Sequence, residues 1–401
     1  MTSTTDRASA QSLADALTAE GQLTAPWREA YDAVPREHFV PEVAWAVPDG
    51  PAPGYAIDRN RNATGWWNAV HSDASIVTQF DDGRSDVRRG RGVPTVSCSA
   101  PGIVFSTFAA LDVHDHHRVL EIGTGTGWTA SLLSHRVGER NVVSVEVDEQ
   151  AAAQAKKNVK AAGYAPCLIT GDGSDGWLDG APYDRVHVTC AVERLPYTWV
   201  AQARPGGIIV APWAPPFAQG QLVRFIVDAE GRAVGRLVRT ASYMMLRSQR
   251  YALKWNPRHP QDAHQERTRL DPRAVAECPL GAGLAITALA PGVAKILAPD
   301  LTDSGRCSLL LVETGEGIGA WAAVDYVPGD PDYQVTWHGP RNLWQEVSDA
   351  YLRWISWGQP DGERFGLTID EGGQELWLDR PDCVIRSTNA GDVRARRYHA
   401  G

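Results

Sequence analysis

The 401 residues exceed one typical domain and suffice for two, each with its own core, and 43% hydrophobic with 22% charged residues is an ordinary globular balance. A net charge of -9 offers no general attraction to nucleic acid, and no long uncharged apolar run or basic leader with an apolar core suggests a membrane span or an export signal. The cysteines at 98, 167, 190, 278, 307 and 383 show no paired spacing, which argues against a metal site or a disulfide framework and fits a reducing cytoplasm.

In chain order, residues 10–33 carry Leu13, Leu17, Leu23, Trp27 and Tyr31 near one face, the spacing of a helix. Residues 42–94 are rich in Pro, Gly, Asp and Arg, show little period, and read as a long excursion with short elements. Within it "DVRRGRG" (86–92) reads as a solvated loop, with a contact to an acidic ligand as the alternative. Trp66 and Trp67 resist assignment to a core and read as ordinary exposed apolar side chains.

From Ile103 the pattern changes. An apolar helix-like run to Leu111 leads to a strand "RVLEIG", a glycine turn, a helix over "TASLLSHRVG" and a β-branched strand "NVVSVEV". A helix over "EQAAAQAKKNVKAAG" follows, then "CLITGDG", "YDRVHVTCAV", a helix over "LPYTWVAQARPGG" and "IIVAPW". Alternation of this kind predicts a parallel sheet covered on both faces, a doubly wound α/β domain. "RFIVDAEGRAVGRLVRTASYMML" reads as paired strands closing that sheet around an Asp-Ala-Glu-Gly turn.

After about residue 255 the alternation stops. Short strands "CSLLLVET" and "AWAAVDYV", an amphipathic helix near 341–357 and a hairpin "RFGLTIDEGGQELWLD" with Gly-Gly at its turn predict a separate α+β domain over 256–401. On the helix Leu343, Val347, Tyr351 and Trp354 form one stripe, with Trp344 and Leu352 close by, a pattern of core packing more often than of a peptide groove.

The chemistry centres on "VLEIGTGTGW" (119–128). A strand that ends in a glycine turn opening a helix presents bare backbone amides to a ligand, so Gly123, Thr124, Gly125 and Gly127 are candidate cofactor contacts, with Glu121 in the approach. Glu146 ends the next strand, nineteen residues after Gly127, where a carboxylate matches a ribose diol. "GDG" (171–173) places Asp172 and Gly173 beside the same crevice, the carboxylate positioned for an adenine amino group. The spacing admits a dinucleotide or S-adenosylmethionine. Three acids in one pocket disfavour a pyrophosphate and favour a cation, and S-adenosylmethionine carries a sulfonium and an ammonium. The plainer reading makes Glu146 and Asp172 strand-end caps.

These residues resemble the protein-L-isoaspartate O-methyltransferase family. The matches are "AVPREHFVP" (33–41), "HSDASIVTQ" (71–79), "TVS…AP" (95–101), "VLEIGTGTGW", "SVE" (144–146), "GDG…G" (171–176) and "ARPGGIIVAP" (203–212), in order over roughly residues 10–250. The resemblance implies a Rossmann-like S-adenosylmethionine-dependent methyltransferase domain over 1–255, with an insertion at about 42–94, and S-adenosylhomocysteine as product. It also implies that the segment holding Thr95, Ser97 and Ser99 lies over the methyl donor and positions an acceptor carboxylate. A carboxylate is already ionised at pH 7, so in-line transfer needs positioning rather than a strong base or a metal.

Three departures stand out. "TVSCSAP" holds two more residues between its first Ser and the Pro than the repair enzymes' usual segment, "FDDGRSDVRRGRGV" (80–93) is inserted before it, and the domain over 256–401 is added. That domain looks like the tail of methyltransferases accompanying ATP-grasp peptide maturases. This second resemblance implies a crosslinked, graspetide-type precursor peptide as substrate, an ATP-grasp ligase as a possible partner, and methylation of an Asp side chain that leads to an aspartimide. The alternatives are an isoaspartate repair methyltransferase and a non-catalytic subunit of a maturase complex. Intact glycines, Glu146 and Asp172 speak against the last.

Overall fold

The computed structural model describes residues 4–251, 253, 262–301, 303, 305–315 and 319–385. The chain divides into one unit of Met1–Trp213, Gln221–Ala233 and Val238–Ser248, and a second of Ala214–Gly220, Val234–Leu237 and Gln249–Gly401. The expected boundary between residues 255 and 256 lies outside the described residues.

The N-terminal helical region is two helices, α1 (Thr4–Ala19) and α2 (Ala25–Ala33). Gly21 breaks the run with a left-handed φ of +74°, and Pro26 sits in the first turn of α2, where its missing N–H costs nothing. Leu17, Leu23, Trp27 and Tyr31 are buried, and Trp27 stacks on Phe108 at 4.1 Å between ring centres.

Residues 42–94 carry short elements, and these associate with one another. They build a four-stranded antiparallel sheet of order β2-β1-β3-β4 from β1 (Val43–Pro48), β2 (Tyr55–Asp58), β3 (Ala74–Phe80) and β4 (Pro94–Cys98), with helix α3 (Ala63–Val70) between β2 and β3. Asn62 caps α3 by accepting from the Gly65 amide, and Trp66 is core, its indole N–H donating to the Pro41 carbonyl at 2.9 Å. Ser97 stands opposite Val77 in the β3–β4 register, and a bulge between Val77 and Phe80 shifts the rest of the pairing.

The catalytic-type sheet follows the expected alternation. After α4 (Pro101–Leu111) come β5 (Val119–Ile122), α5 (Trp128–Val137), β6 (Val142–Glu146), α6 (Glu149–Ala161), β7 (Cys167–Thr170), β8 (Tyr183–Val188), α7 (Tyr197–Ala201), β9 (Ala203–Trp213), β10 (Gln221–Val227) and β11 (Ala233–Thr240). The run β9-β8-β5-β6-β7 is parallel, β10 joins β9 antiparallel, and β11 follows β10 through a turn closed by the Asp228 amide on the Arg232 carbonyl. Strand order reverses between β5 and β8, the switch point at which open α/β sheets hold ligands. The expected helix over 195–207 shrinks to α7, because Pro205, Gly206 and Gly207 cannot continue it and join β9 instead.

The second unit contains a five-stranded antiparallel sheet of order β12-β16-β15-β14-β13, from β12 (His264–Thr268), β13 (Val293–Pro299), β14 (Cys307–Glu313), β15 (Trp321–Tyr326) and β16 (Tyr333–His338). Helices α8 (Pro272–Ala276), α9 (Leu280–Leu289) and α10 (Leu343–Ser356) and the hairpin of β17 (Phe365–Asp370) with β18 (Gly373–Leu378) complete it. Asp370 pairs with Gly373, so the hairpin turns on Glu371 and Gly372 rather than on the two glycines. On α10 the residues Leu343, Trp344, Val347 and Trp354 are buried, as core packing requires, whereas Leu352 is 51% exposed. No helix among the described residues is long and apolar enough to cross a membrane.

Candidate functional site

β5 is buried on both faces and ends at Ile122, where the chain turns through Gly123 (φ +92°), Gly125 (+55°) and Gly127 (+90°) into α5. All three positions are tight, and a Cβ on Gly123 would stand 2.4 Å from Thr189 Oγ1. A Cβ on Gly125 would stand 3.0 Å from the Ser97 carbonyl oxygen, and one on Gly127 would stand 2.6 Å from Val159 Cγ2. The glycines therefore let β4 cross the turn closely and let α6 pack beneath it. The turn is held by Glu146, whose Oε2 accepts from the Gly125 amide at 2.9 Å and whose Oε1 accepts from the Asp148 amide at 3.0 Å. Burial pushes the Glu146 carboxyl pKa up, against the pull of those two amides.

Glu121 does not line the pocket. It is fully buried, with the Ser144 hydroxyl donating to Oε2 at 2.6 Å and His187 Nδ1 3.2 Å from Oε1. The Thr124 hydroxyl joins the same network, 2.6 Å from Ser144 Oγ. The Glu121 and Thr124 side chains brace the turn from inside the sheet, so Glu121 stands in the approach without facing the crevice, and Thr124 offers a ligand its backbone. A strand covered on both faces gives no alternation from which the direction of Glu121 can be read.

Asp172 is exposed and caps the short turn Gly173–Asp175, accepting from the Ser174 amide at 2.9 Å through Oδ1. Gly173 meets the end of β5, since a Cβ there would lie 2.6 Å from Ile122 Cγ2, and its carbonyl accepts from the Trp199 indole at 2.8 Å. Gly125, Glu146, Gly173 and Ser97 are thus gathered at the switch point.

The three candidates on and after β4 separate. The Thr95 hydroxyl donates to Gln79 Oε1 at 2.6 Å and accepts from the Asp82 amide at 3.2 Å, so it is engaged within the protein. The Ser97 and Ser99 hydroxyls are part-exposed and make no hydrogen bond among the described residues. Ser97 and Ser99 remain available to an acceptor, and Thr95 holds the strand.

Two residues that sequence reasoning assigned no role build the rest. Arg36 is 2% exposed, and its guanidinium donates to the carbonyls of Val70 (2.8 Å), Ser72 (3.3 Å), Ala74 (2.7 Å), Cys98 (3.1 Å) and Ser99 (2.8 Å). It also lies 5.2 Å from the centre of the Trp128 ring, and so fastens the end of β4 to β3 and to the residue that opens α5. Its one sequence signal is its place in "AVPREHFVP". Arg247 bridges Asp148 (2.9 Å), which caps α6, and Asp82 (3.0 Å) of the inserted loop; it carries no motif and was not legible.

These features fit S-adenosylmethionine: a bare turn that admits close backbone approach, Glu146 at the end of β6 with acceptor oxygens for a diol, and Asp172 beside it with one oxygen unshared. The nearby cation, Arg247, is already matched by two carboxylates, which leaves little to bind a pyrophosphate. Fold and site together define the class, a Rossmann-like α/β fold of the S-adenosylmethionine-dependent methyltransferase type. Residues 57–251 match the family model described as protein-L-isoaspartate(D-aspartate) O-methyltransferase. A protein-L-isoaspartate O-methyltransferase of Methanosarcina mazei is 40% identical over 136 residues, 33% of this chain and 55% of that protein. Protein-L-isoaspartate O-methyltransferase 2 of Polaromonas sp. is 32% identical over 153 residues, 38% of this chain and 72% of that protein. A solved protein-L-isoaspartate O-methyltransferase shares the fold with a TM-score of 0.53 at 20% identity, covering 92% of this chain and 100% of that one.

The chain belongs to the protein-L-isoaspartate O-methyltransferase family, a family of S-adenosylmethionine-dependent protein carboxyl O-methyltransferases. It spans about half the length of the Methanosarcina mazei relative that it matches.

Proposed function

We propose that this chain is an S-adenosylmethionine-dependent O-methyltransferase acting on an Asp side-chain carboxylate of a ribosomally made, crosslinked graspetide-type precursor peptide. The observation that carries the transfer reading is β4: its Ser97 carbonyl crosses the Gly125 turn, with the Ser97 and Ser99 hydroxyls unshared beside it. Glu146 would hold the cofactor's ribose diol and Asp172 its adenine amino group, while the backbone of Gly123, Gly125 and Gly127 admits the rest. When bound, the cofactor supplies an electrophilic methyl group. Ser97 and Ser99 donate to the acceptor carboxylate and fix the oxygen that attacks; that oxygen is ionised at neutral pH, so no residue of the chain need remove a proton. In the methyl ester product, methanol is a better leaving group than oxide, and attack by the following backbone amide closes an aspartimide.

The inserted 80–93 loop beside β4 and the second unit support a dedicated peptide, with an ATP-grasp ligase as the enzyme that would deliver it. A second reading, isoaspartate repair, is supported by the names of the Methanosarcina mazei and Polaromonas relatives. The two are separated by labelled S-adenosylmethionine offered with an isoaspartyl peptide, a linear acidic precursor and the crosslinked precursor. Transfer to the crosslinked peptide followed by loss of methanol is the expected result. Transfer to the isoaspartyl peptide alone would replace the first reading by the second.

A further inference from the structure

The inserted loop leads directly into β4 and holds two arginine side chains that pair with no carboxylate among the described residues. Its acids are used internally: Asp81 accepts from the Val93 amide at 2.8 Å and from the Ser85 hydroxyl at 2.5 Å, Asp82 pairs with Arg247, and Asp86 accepts from the Arg88 amide at 3.0 Å. Of its arginines, Arg84 donates to the Asp81 carbonyl at 2.8 Å and Arg88 lies 3.8 Å from Asp86. Arg89 and Arg91 are exposed, and their side chains make no ion pair or hydrogen bond among the described residues, in a chain whose net charge is -9.

The loop is also a built turn. Gly90 has a φ of +56° and is packed so tightly on Trp45 that a Cβ would come within 2.2 Å of the indole, and a Cβ on Gly92 would strike Asp81. The same loop is tied to β4 by the Asp82 amide on Thr95 and to the cap of α6 by the Asp82 carboxylate on Arg247. Arg91 precedes Ser97 by six residues. At a rise of about 3.3 Å per extended residue its Cα lies within ~20 Å of Ser97, the span of a short extended peptide.

We infer that Arg89 and Arg91 are specificity-determining residues that bind carboxylates of the peptide substrate about three to six residues from the acceptor Asp. Two exposed pairs of this kind are worth about fivefold in affinity together, a contribution that salt screens. The inference rests on the peptide methyltransferase reading, and it identifies an acidic flanking segment as the feature that the inserted loop selects.

The test uses two fluorescein-labelled peptides with a central Asp, one with Glu and one with Gln at the third to sixth positions on both sides. Their binding is measured by polarisation with S-adenosylhomocysteine in excess, for the full chain and for the double variant R89Q/R91Q, at low and high salt. The expected result is about fivefold tighter binding of the Glu peptide by the native chain, reduced to parity in the double variant and by about 0.5 M salt. Equal binding of the two peptides, no binding of either, or a preference that survives in the double variant overturns the inference. Methyl transfer from labelled S-adenosylmethionine is read on the same samples. Selective binding without transfer counts against the activity and leaves the arginine assignment standing, so the two failures are distinguishable.

Discussion

Replacing Arg36 by Lys tests the fastening of β4 most directly. The guanidinium serves five carbonyls, whereas an ammonium has three N–H donors and cannot span the same fan, so at least two of the buried oxygens lose their partner. An unsatisfied buried polar group costs about 1–3 kcal/mol, which places the loss at roughly 2–6 kcal/mol, with up to ~1 kcal/mol more from the ring face of Trp128. In a unit of this size each kcal/mol lowers Tm by about 2–4 °C, so a fall of about 10 °C is expected. Urea titration followed by tryptophan fluorescence reads the free energy, and isothermal titration with S-adenosylhomocysteine reads the cofactor pocket. Because Arg36 contacts Cys98 and Ser99 and not the glycine turn, cofactor affinity in the folded variant should change by less than about threefold while turnover falls at least tenfold. A destabilisation below about 1 kcal/mol, or a variant that turns over normally, would refute the claim that these five bonds set the strand.

Glu146→Ala removes the acceptor of the Gly125 and Asp148 amides together with the diol contact, and should weaken S-adenosylhomocysteine binding about 10–100-fold by calorimetry. The same residue gives the binding a pH dependence. Burial raises its folded pKa above the ordinary 4.5, so the binding-competent carboxylate is lost as pH falls through that raised value, earlier than for an exposed glutamate. For stability the sign is the reverse: the buried charge is a cost at neutral pH that is relieved as the native state takes up its proton. Ser97→Ala should lower turnover by about tenfold with cofactor affinity unchanged, and a silent variant would remove Ser97 from the acceptor site. Gly125→Ala places a Cβ 3.0 Å from the Ser97 oxygen at a φ of +55°, and should cost about 1–2 kcal/mol in denaturant titration together with most cofactor affinity.

The parallel sheet was legible because its strands are β-branched runs bounded by glycine and separated by helices of clear period; the turn at 123–127 announced itself for the same reason. The sheet over 42–94 was not, since β1 and β2 are short strands, β1 holds two alanines and a proline and pairs with β3 across helix α3, and their stability comes from pairing rather than from local preference. Trp66 read as exposed because nothing local reveals that its indole reaches Pro41, twenty-five residues back. Glu121 and Asp172 carry the same side-chain chemistry, and only the surroundings separate an interior brace from a crevice-facing cap. Arg36 was visible as a motif letter, but five carbonyls drawn from two separate stretches of chain leave no periodicity to detect.

The bond from the Gly125 amide to Glu146 has a further consequence. Both partners of that bond belong to the chain itself, so the contacts of the sheet set the shape of the turn. The conformational entropy of ordering a glycine-rich segment, about 1–2 kcal/mol per residue, is therefore met by folding and does not reduce affinity when the cofactor arrives. What arrival requires is a sharing of acceptors at Glu146, a rearrangement of hydrogen bonds in place. The site is accordingly a template of fixed form, and its binding should be fast and governed by how quickly the ligand leaves.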